Sequence, residues 1–528
     1  MQSNVAPKGM VVAPHHLATQ SVLAILREGG TAMEAMVSAA ATIAVVYPHM
    51  NGIGGDGFWL IIPPHGEPIA IEACGVAGSL ATPEFFKGFE KIPYTGAKAA
   101  VTVAGTVGGW EEALEYVTEC GYKRISVNRL LADAIRYAEE GVPVTDSQRC
   151  SLENVRSKIR SIEFGKVFLP DGRMPKVGDI FFQKQLANTL RSLAENGLKS
   201  FYKGKLAKLI VKDMASLGMP ITESDLENYS PIRKIPLRLL HKHGEVFNLP
   251  PPTQGAVSLG ILGILDKLDI DGKDEGKFIH AAVEATKQTF ELRDKYITDP
   301  REMTTDPKSL ISSGKLFKMA NNINLDQASP VGKGKGPGDT IWMGVMDSKG
   351  FSVSFIQSIY HEFGSGVVLP NTGILWQNRG VAFTLERNHI LSVKPGKKPF
   401  HTLNLAVAKL HDGRVMIYGT RGGDGQPQTQ AAIFHRYVVQ NVDLQTSVSA
   451  PRWLYGRTTG DHNDSLRLEG RFNKDTINYL KDRGHEIIIL PEYQTSETMG
   501  HAGALVRHPS GMMEGAFDPR SNGSAAGF

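Results

Sequence analysis

Gly338-Asp339-Thr340-Ile341-Trp342-Met343-Gly344-Val345 sets a threonine at the head of an apolar, strand-like run. Directly before it, Asn321 to Gly338 reads as a linker, ending in glycine, lysine and proline residues that cannot supply a core-facing stripe. Cleavage of the peptide bond after Asp339 would leave Thr340 with a free α-amine beside its own hydroxyl, so one residue would supply base and nucleophile. Without cleavage, Asp339-Thr340 is a polar dipeptide at a strand start. Three features favour the first reading: the linker exposes the bond, the strand would fix the new terminus on a rigid element, and Asp347-Ser348-Lys349-Gly350 is a hairpin turn. That turn brings Phe351 to Ile356 back alongside, with Ser358-Ile359-Tyr360 at its end and Ser358 within hydrogen-bonding reach of Thr340.

Upstream, His15 to Val46 has Ala, Leu and Met at helical spacing, broken at Gly29-Gly30, after which Thr31 can cap a second helix. The loop Asn51-Gly52-Ile53-Gly54-Gly55-Asp56-Gly57 precedes the strand-like Phe58 to Ile62; a nucleotide-binding loop follows a strand and opens a helix, so dinucleotide and P-loop binding are disfavoured. Gly109 to Leu240 reads as mostly helical, with Trp110 to Val117, Val127 to Tyr137 and Gln183 to Asn196 amphipathic. The stiff turn Pro250 to Gly255 lies between strand-like Val246 to Leu249 and helical Ala256 to Leu268, and either connects or frames a pocket. Past Thr340 the texture becomes short β-like runs, including Val415 to Tyr418 and Glu486 to Leu490. Gly419-Thr420-Arg421-Gly422-Gly423-Asp424-Gly425 follows the first of these: either a plain turn, or a set of glycine-freed N–H groups able to hold an oxyanion.

With 528 residues, 41% hydrophobic and 21% charged, the composition is that of a soluble globular protein holding one large core or several ordinary ones. A formal charge of +4 with no basic run speaks against nucleic acid, and Ala35 to Val46 is too short and Ala-rich to cross a membrane. The N-terminus lacks an export-type apolar region, and Cys74, Cys120 and Cys150 are too few and scattered for a disulfide framework or zinc site. A cytoplasmic location follows as an expectation. No metal-ligand spacing and no cofactor motif appears, and the chemistry needs neither.

Ordered segments along nearly the whole chain resemble the γ-glutamyltranspeptidase family of N-terminal nucleophile hydrolases. They include Pro48 to Phe58, Ala104 to Gly109, Pro250 to Pro252, Asp339-Thr340, Phe363 to Gly366, Gly373 to Leu375, Lys398-Pro399, Gly422-Gly423, Ala450 to Arg452 and Asp518 to Ser521. The resemblance implies an α+β fold, a four-layer αββα sandwich of two antiparallel sheets flanked by helices. It implies autoproteolysis into a large subunit, residues 1–339, and a small one, 340–528, which together form one domain. By position it makes Thr340 the nucleophile, Ser358 its orienting partner, and Gly422 and Gly423 the oxyanion donors.

The departures bear on substrate. The family's arginine for the substrate α-carboxylate falls on Cys74, its acidic residue for the α-amine on Ala382, and its serine pair on His401-Thr402. An acidic substrate therefore needs new partners, for which Arg379, His401, Thr402, Arg421 and Tyr360 are the candidates; each arginine could equally pair locally, Arg421 with Asp424. The pattern is most similar to the family's oxamate amidohydrolase branch, which cleaves a small amide bearing a carboxylate and no amine. Two other readings stand beside it: a γ-glutamyltransferase or glutathione hydrolase, and a non-catalytic binding protein on the same fold. A symmetric homo-oligomer is an open expectation.

Overall fold

A computed structural model describes residues 2–270, 272–330, 339–456, 465–492 and 497–528, so most of the linker before Thr340 lies outside the described residues. The run from Thr340 is the centre of the architecture because it is apolar on both faces. Ile341, Met343 and Val345 point one way and Trp342 and Met346 the other, the period-two alternation of a strand buried on both sides. Asp339–Asp347 pairs antiparallel with Ser352–Tyr360 through the expected turn, and with Gly9–Ala13 on its other edge.

Seven strands make this sheet, in the order Ser524–Gly527, Gly9–Ala13, Asp339–Asp347, Ser352–Tyr360, Asp56–Ile62, Ile69–Ala73 and Ile232–Lys234. A second sheet of seven runs Asn4–Ala6, Met513–Phe517, Ala502–Arg507, Val415–Thr420, Leu405–Leu410, Gly244–Asn248 and Leu237–His241. All pairings in both are antiparallel. Each sheet takes strands from both sides of Thr340, so neither half of the chain completes a sheet alone.

Three apolar cores make four layers. Phe58, Leu60, Trp342 and Ile356 of the first sheet meet Leu405, Val407, Ile417 and Leu505 of the second between the sheets. Helices His16–Arg27, Ala32–Val46, Thr106–Glu119, Val127–Glu140 and Lys184–Asn196 cover the outer face of the first sheet, against Trp59, Met343 and Phe355. Helices Gly255–Lys267, Glu275–Tyr296 and Gly425–Phe434 cover the second, against Val246, Ala408 and Tyr418. This is the αββα sandwich. The break at Gly29-Gly30 is real, and Thr31 caps the next helix in a capping box with Glu34. The mostly helical reading of Gly109 to Leu240 needs one correction: Ile232–Lys234 and Leu237–His241 are strands at the sheet edges, where the outward-facing apolar residues Ile232 and Leu240 blur the strand alternation. No helix of the described residues is long and apolar enough to cross a membrane. All three cysteines are free, with Cys74 buried.

Candidate active site

Thr340 lies at an irregularity. Asp339 pairs with Tyr360 and Ile341 with Gln357, so one residue on the Thr340 strand faces two on its neighbour, a β-bulge. Across it Thr340 Oγ1 donates to Ser358 Oγ at 3.3 Å, and Tyr360 N–H donates to the same oxygen at 2.8 Å. Tyr360 adopts φ +81°, a left-handed conformation that bulky side chains avoid, and the kink helps turn its N–H back onto Ser358. Ser358 pairs in register with Asp56 on the next strand. Thr340, Ser358 and Asp56 therefore form a row at one end of the space between the sheets.

The second sheet supplies the facing turn. Gly344 packs on Ile417, and Trp342 lies against Gly419, where a side chain would collide with its ring. Two residues further in the same direction, Thr340 comes level with the turn after Thr420. There Gly422 (φ +113°) and Gly423 (φ +49°) occupy conformations open to glycine, and no acceptor among the described residues takes their N–H groups. Helix Gly425–Phe434 starts immediately beyond, so its positive end adds to a donor-rich, anion-accepting corner. The turn is tied down. Gln254 Nε2 donates to the carbonyls of Thr402 (2.7 Å) and Gly423 (3.0 Å), and fully buried Arg293 donates to Asp424 Oδ1 at 2.7 Å. Pro250 to Gly255 thus frames a pocket by way of Gln254, and Asp424 pairs with Arg293 where Arg421 had been a candidate partner.

Beside the row is a second set of polar groups. Arg379, in the turn Arg379–Ala382, has no solvent exposure, and none of its three guanidinium nitrogens has a hydrogen-bond acceptor among the described residues. Its guanidinium stacks over the Tyr360 ring, 4.0 Å from the centroid. Burial lowers its pKa, opposed by Tyr360 and Asp56. His401 Nε2 lies 3.7 Å from Asp56 Oδ2; neither ring nitrogen is hydrogen-bonded, and burial with the Arg379 charge pushes its pKa far down, so the imidazole is neutral. The Thr402 hydroxyl, next in the chain, is likewise unsatisfied. Buried polar groups are nearly always satisfied, so the unsatisfied nitrogens of Arg379 together with those of His361 and His401, on which its charge acts, mark a place built for a polar ligand.

Arg421, next to Gly422, meets a different set of groups. Its guanidinium contacts Met50 Sδ (3.6 Å) and His501 Nε2 (3.4 Å), and its charge acts on His49 and His501, whereas Arg379 acts on Asp56, His361 and His401. Of the two arginines singled out in the sequence, Arg379 is the one in the polar pocket. The sequence reading missed Asp56 and Gln377. Asp56 Oδ1 accepts from the N–H groups of Gly75 (3.4 Å) and Gly105 (3.2 Å) and from Gln377 Nε2 (3.2 Å). The signal was present: an acid inside a glycine loop whose strand lies two places from Thr340. His280, Glu284 and His485 also cluster, but Lys287 donates to Glu284 at 2.7 Å and places a positive charge where a metal cation would sit.

The fold, with a threonine heading a central strand and an N–H-lined turn opposite, is that of the N-terminal nucleophile hydrolases. Residues 18–528 match the gamma-glutamyltranspeptidase family, and the chain belongs to it as an amidohydrolase. The chain is 58% identical over 527 residues to an oxamate amidohydrolase proenzyme of Klebsiella pneumoniae subsp. pneumoniae, covering 100% of this chain and 99% of that one. It is 38% identical to a glutathione hydrolase-like proenzyme of Bacillus subtilis, with both chains covered in full. Among solved structures, a cephalosporin acylase from Bacillus halodurans superimposes with a TM-score of 0.91 at 32% identity, over 100% of this chain and 97% of that one.

Proposed function

We propose that the chain is a proenzyme which cuts itself between Asp339 and Thr340 and then hydrolyses a small, carboxylate-bearing amide of the oxamate kind. In processing, Thr340 Oγ1 attacks the carbonyl carbon of Asp339, the acyl group moves from nitrogen to oxygen, and water hydrolyses the ester. Residues 1–339 and 340–528 then remain together as one composite domain, which the mixed parentage of both sheets supports.

In turnover, the α-amine of Thr340 takes the hydroxyl proton while Oγ1 attacks the amide carbon. The N–H groups of Gly422 and Gly423 receive the oxyanion, each donor being worth about 2.7–4 kcal/mol in such sites. Collapse breaks the C–N bond, the amine passes its proton to the departing nitrogen, and ammonia leaves. Water, deprotonated by the same amine, then hydrolyses the ester on Thr340 to release the dicarboxylate. Ser358, held by Tyr360 N–H, orients the Thr340 hydroxyl.

The observation that carries the substrate reading is Arg379, a buried guanidinium without a hydrogen-bond acceptor among the described residues, which a substrate carboxylate would satisfy. Cys74 and Ala382 offer no charge to an amino-acid end group. His401 and Thr402 line the same place, and Tyr360 is the platform beneath the cation. The relatives named as oxamate and glutathione hydrolase proenzymes bracket the choice, and the identity is higher to the first. Ammonia release from oxamate, other small acid amides and glutamine, alongside glutamate release from glutathione, tests it: preference for the small acid amide is expected, and equal or better turnover of the γ-glutamyl substrates overturns it. The free cysteines fit a cytoplasmic enzyme, and a homo-oligomer is part of the same proposal.

A further inference from the structure

A buried guanidinium waiting for a substrate anion poses a problem while the pocket is empty, because a lone charge away from water is strongly disfavoured. The described residues around Arg379 offer one carboxylate to balance it. Asp56 is completely buried, and its two oxygens differ: Oδ1 takes three donors, while Oδ2 has none and points toward His401. Gln377, two residues before Arg379, donates to Asp56 Oδ1 at 3.2 Å and so ties the carboxylate to the segment that carries the guanidinium, and each group acts on the other's charge.

We propose that Asp56 is the resident counter-ion of Arg379, and that it gives up this role by taking a proton from solvent when a substrate carboxylate settles on the guanidinium. The inference rests on the reading of Arg379 given above. Charge balances in both states: one guanidinium and one carboxylate when empty, one guanidinium, one substrate carboxylate and one neutral carboxylic acid when filled. Two carboxylates sharing one buried cation cannot both stay ionised, and the one fixed in the protein is the one that protonates.

Among the side chains, the surroundings leave Asp56 as the group able to do this near neutrality; the Thr340 α-amine of the processed enzyme, in the same row, titrates near pH 8 as well, so proton uptake that persists in Asp56→Asn belongs to the amine and overturns the proposal. Glu72, on the adjacent strand, already has its own cations, pairing with Lys234 and Lys398. Burial pushes up the Cys74 thiol and the Tyr202, Tyr229 and Tyr360 phenols, so these stay protonated. His401 and His361 are pushed far down and stay neutral. Burial raises Asp56 itself to about 7 against the pull of Arg379, Gln377 and the two backbone N–H groups. A second anion raises it further. Below this pH Asp56 already holds its proton and binding takes up none; above it, each anion bound must bring one.

The probe is oxalate, a dicarboxylate of the product type, bound to the processed wild-type enzyme and followed by titration calorimetry in buffers of differing ionisation enthalpy and by its inhibition constant. Uptake of about one proton per oxalate is expected near pH 8 and almost none near pH 6, with the inhibition constant rising about tenfold per pH unit above neutrality. Asp56→Asn, which keeps the three donors satisfied through its carbonyl oxygen, is expected to lose that slope. The neutral diamide oxamide is expected to bind wild type with less proton uptake than oxalate by about one. Equal uptake for oxalate and oxamide, or a slope unchanged in Asp56→Asn, overturns the proposal. Arg379→Gln separates the two readings: unchanged oxalate affinity sinks the Arg379 assignment and the proposal with it, whereas lost affinity with the slope intact in Asp56→Asn sinks the Asp56 role alone. If Asp56→Asn does not process, oxalate and oxamide are compared on uncleaved Thr340→Ala, which has no free α-amine there: a difference of about one proton keeps the proposal, and equal uptake overturns it.

Discussion

Thr340 Oγ1 reaches Ser358 Oγ at 3.3 Å across the bulge where their strands lose register, and the same serine oxygen accepts from Tyr360 N–H at 2.8 Å. The serine is thus fixed from behind and steers the threonine hydroxyl. Thr340→Ala is expected to remain a single chain on a denaturing gel and to release no ammonia, while Thr340→Ser processes and retains activity. Ser358→Ala is expected to process slowly and to lose about 10–100-fold in kcat with little change in KM, as befits a group that orients the nucleophile and does not hold the substrate. An active, uncleaved Thr340→Ala would remove the threonine from the mechanism.

Arg379 carries the substrate reading, and its replacement should appear mainly in binding. A hydrogen bond to a charged group contributes about 1.5–3 kcal/mol, so Arg379→Gln is expected to raise KM for a carboxylate-bearing amide roughly 10–100-fold. Arg379→Lys is expected to recover little of that loss, because an ammonium cannot reproduce the planar fork or the stack over Tyr360. A neutral amide of the same size serves as the control and should show little change.

Much of this was legible before any coordinates. The period-two alternation of Ile341 to Met346 and the turn Asp347 to Gly350 define a central hairpin, and that hairpin places Ser358 beside Thr340. Gly422 and Gly423 announced a turn needing unusual backbone angles, which they adopt. What stayed hidden depends on contacts distant in the chain. Whether Arg379 or Arg421 enters the pocket is decided by packing, since each is an arginine beside a glycine in sequence, yet one stacks on Tyr360 and the other meets Met50 and His501. Asp56 was quoted within a glycine loop, but its position opposite Ser358 is a matter of strand pairing over some three hundred residues. The strands of residues 232–241 were lost among helices because, at the sheet edges, the apolar Ile232 and Leu240 face outward and break the alternation that marks a strand.

Gln254 connects the Gly422-Gly423 turn to the His401-Thr402 segment, bonding the carbonyls of Gly423 and Thr402 at once while Arg293 donates to its own oxygen at 3.4 Å. Gln254→Leu has similar bulk and removes all three links. The expected outcome is a processed, folded enzyme whose kcat falls about 100-fold, the loss typical of one misaimed oxyanion donor, with KM changed less. Asp424→Asn differs in kind: it leaves the buried Arg293 short of its fully buried carboxylate, and a loss of about 3 kcal/mol in unfolding free energy is expected from denaturant titration. A stability change of equal size in Gln254→Leu would mean that the glutamine merely supports the fold.

Acid sensitivity should originate in the buried ion pairs of Asp518 and Glu469. Asp518 is fully buried, which alone would raise its pKa, but Arg452 and Arg520 overcome burial and hold the carboxyl well below the usual range. Glu469, paired with Arg520 and Arg471, is lowered too, again against burial. A carboxyl with a depressed folded-state pKa binds fewer protons folded than unfolded, so its stabilisation is complete above the unfolded value of about 4 and fades as pH falls below it. The melting temperature of the wild type is therefore expected to be nearly flat with respect to these groups from about pH 8 to pH 5 and to drop steeply below about pH 4. Asp518→Asn should melt lower at neutral pH, because two buried arginines lose a partner, and should show a shallower acid decline. A mutant whose melting curve stays parallel to that of the wild type down to about pH 3 would show that the Asp518 charge contributes nothing to the acid transition.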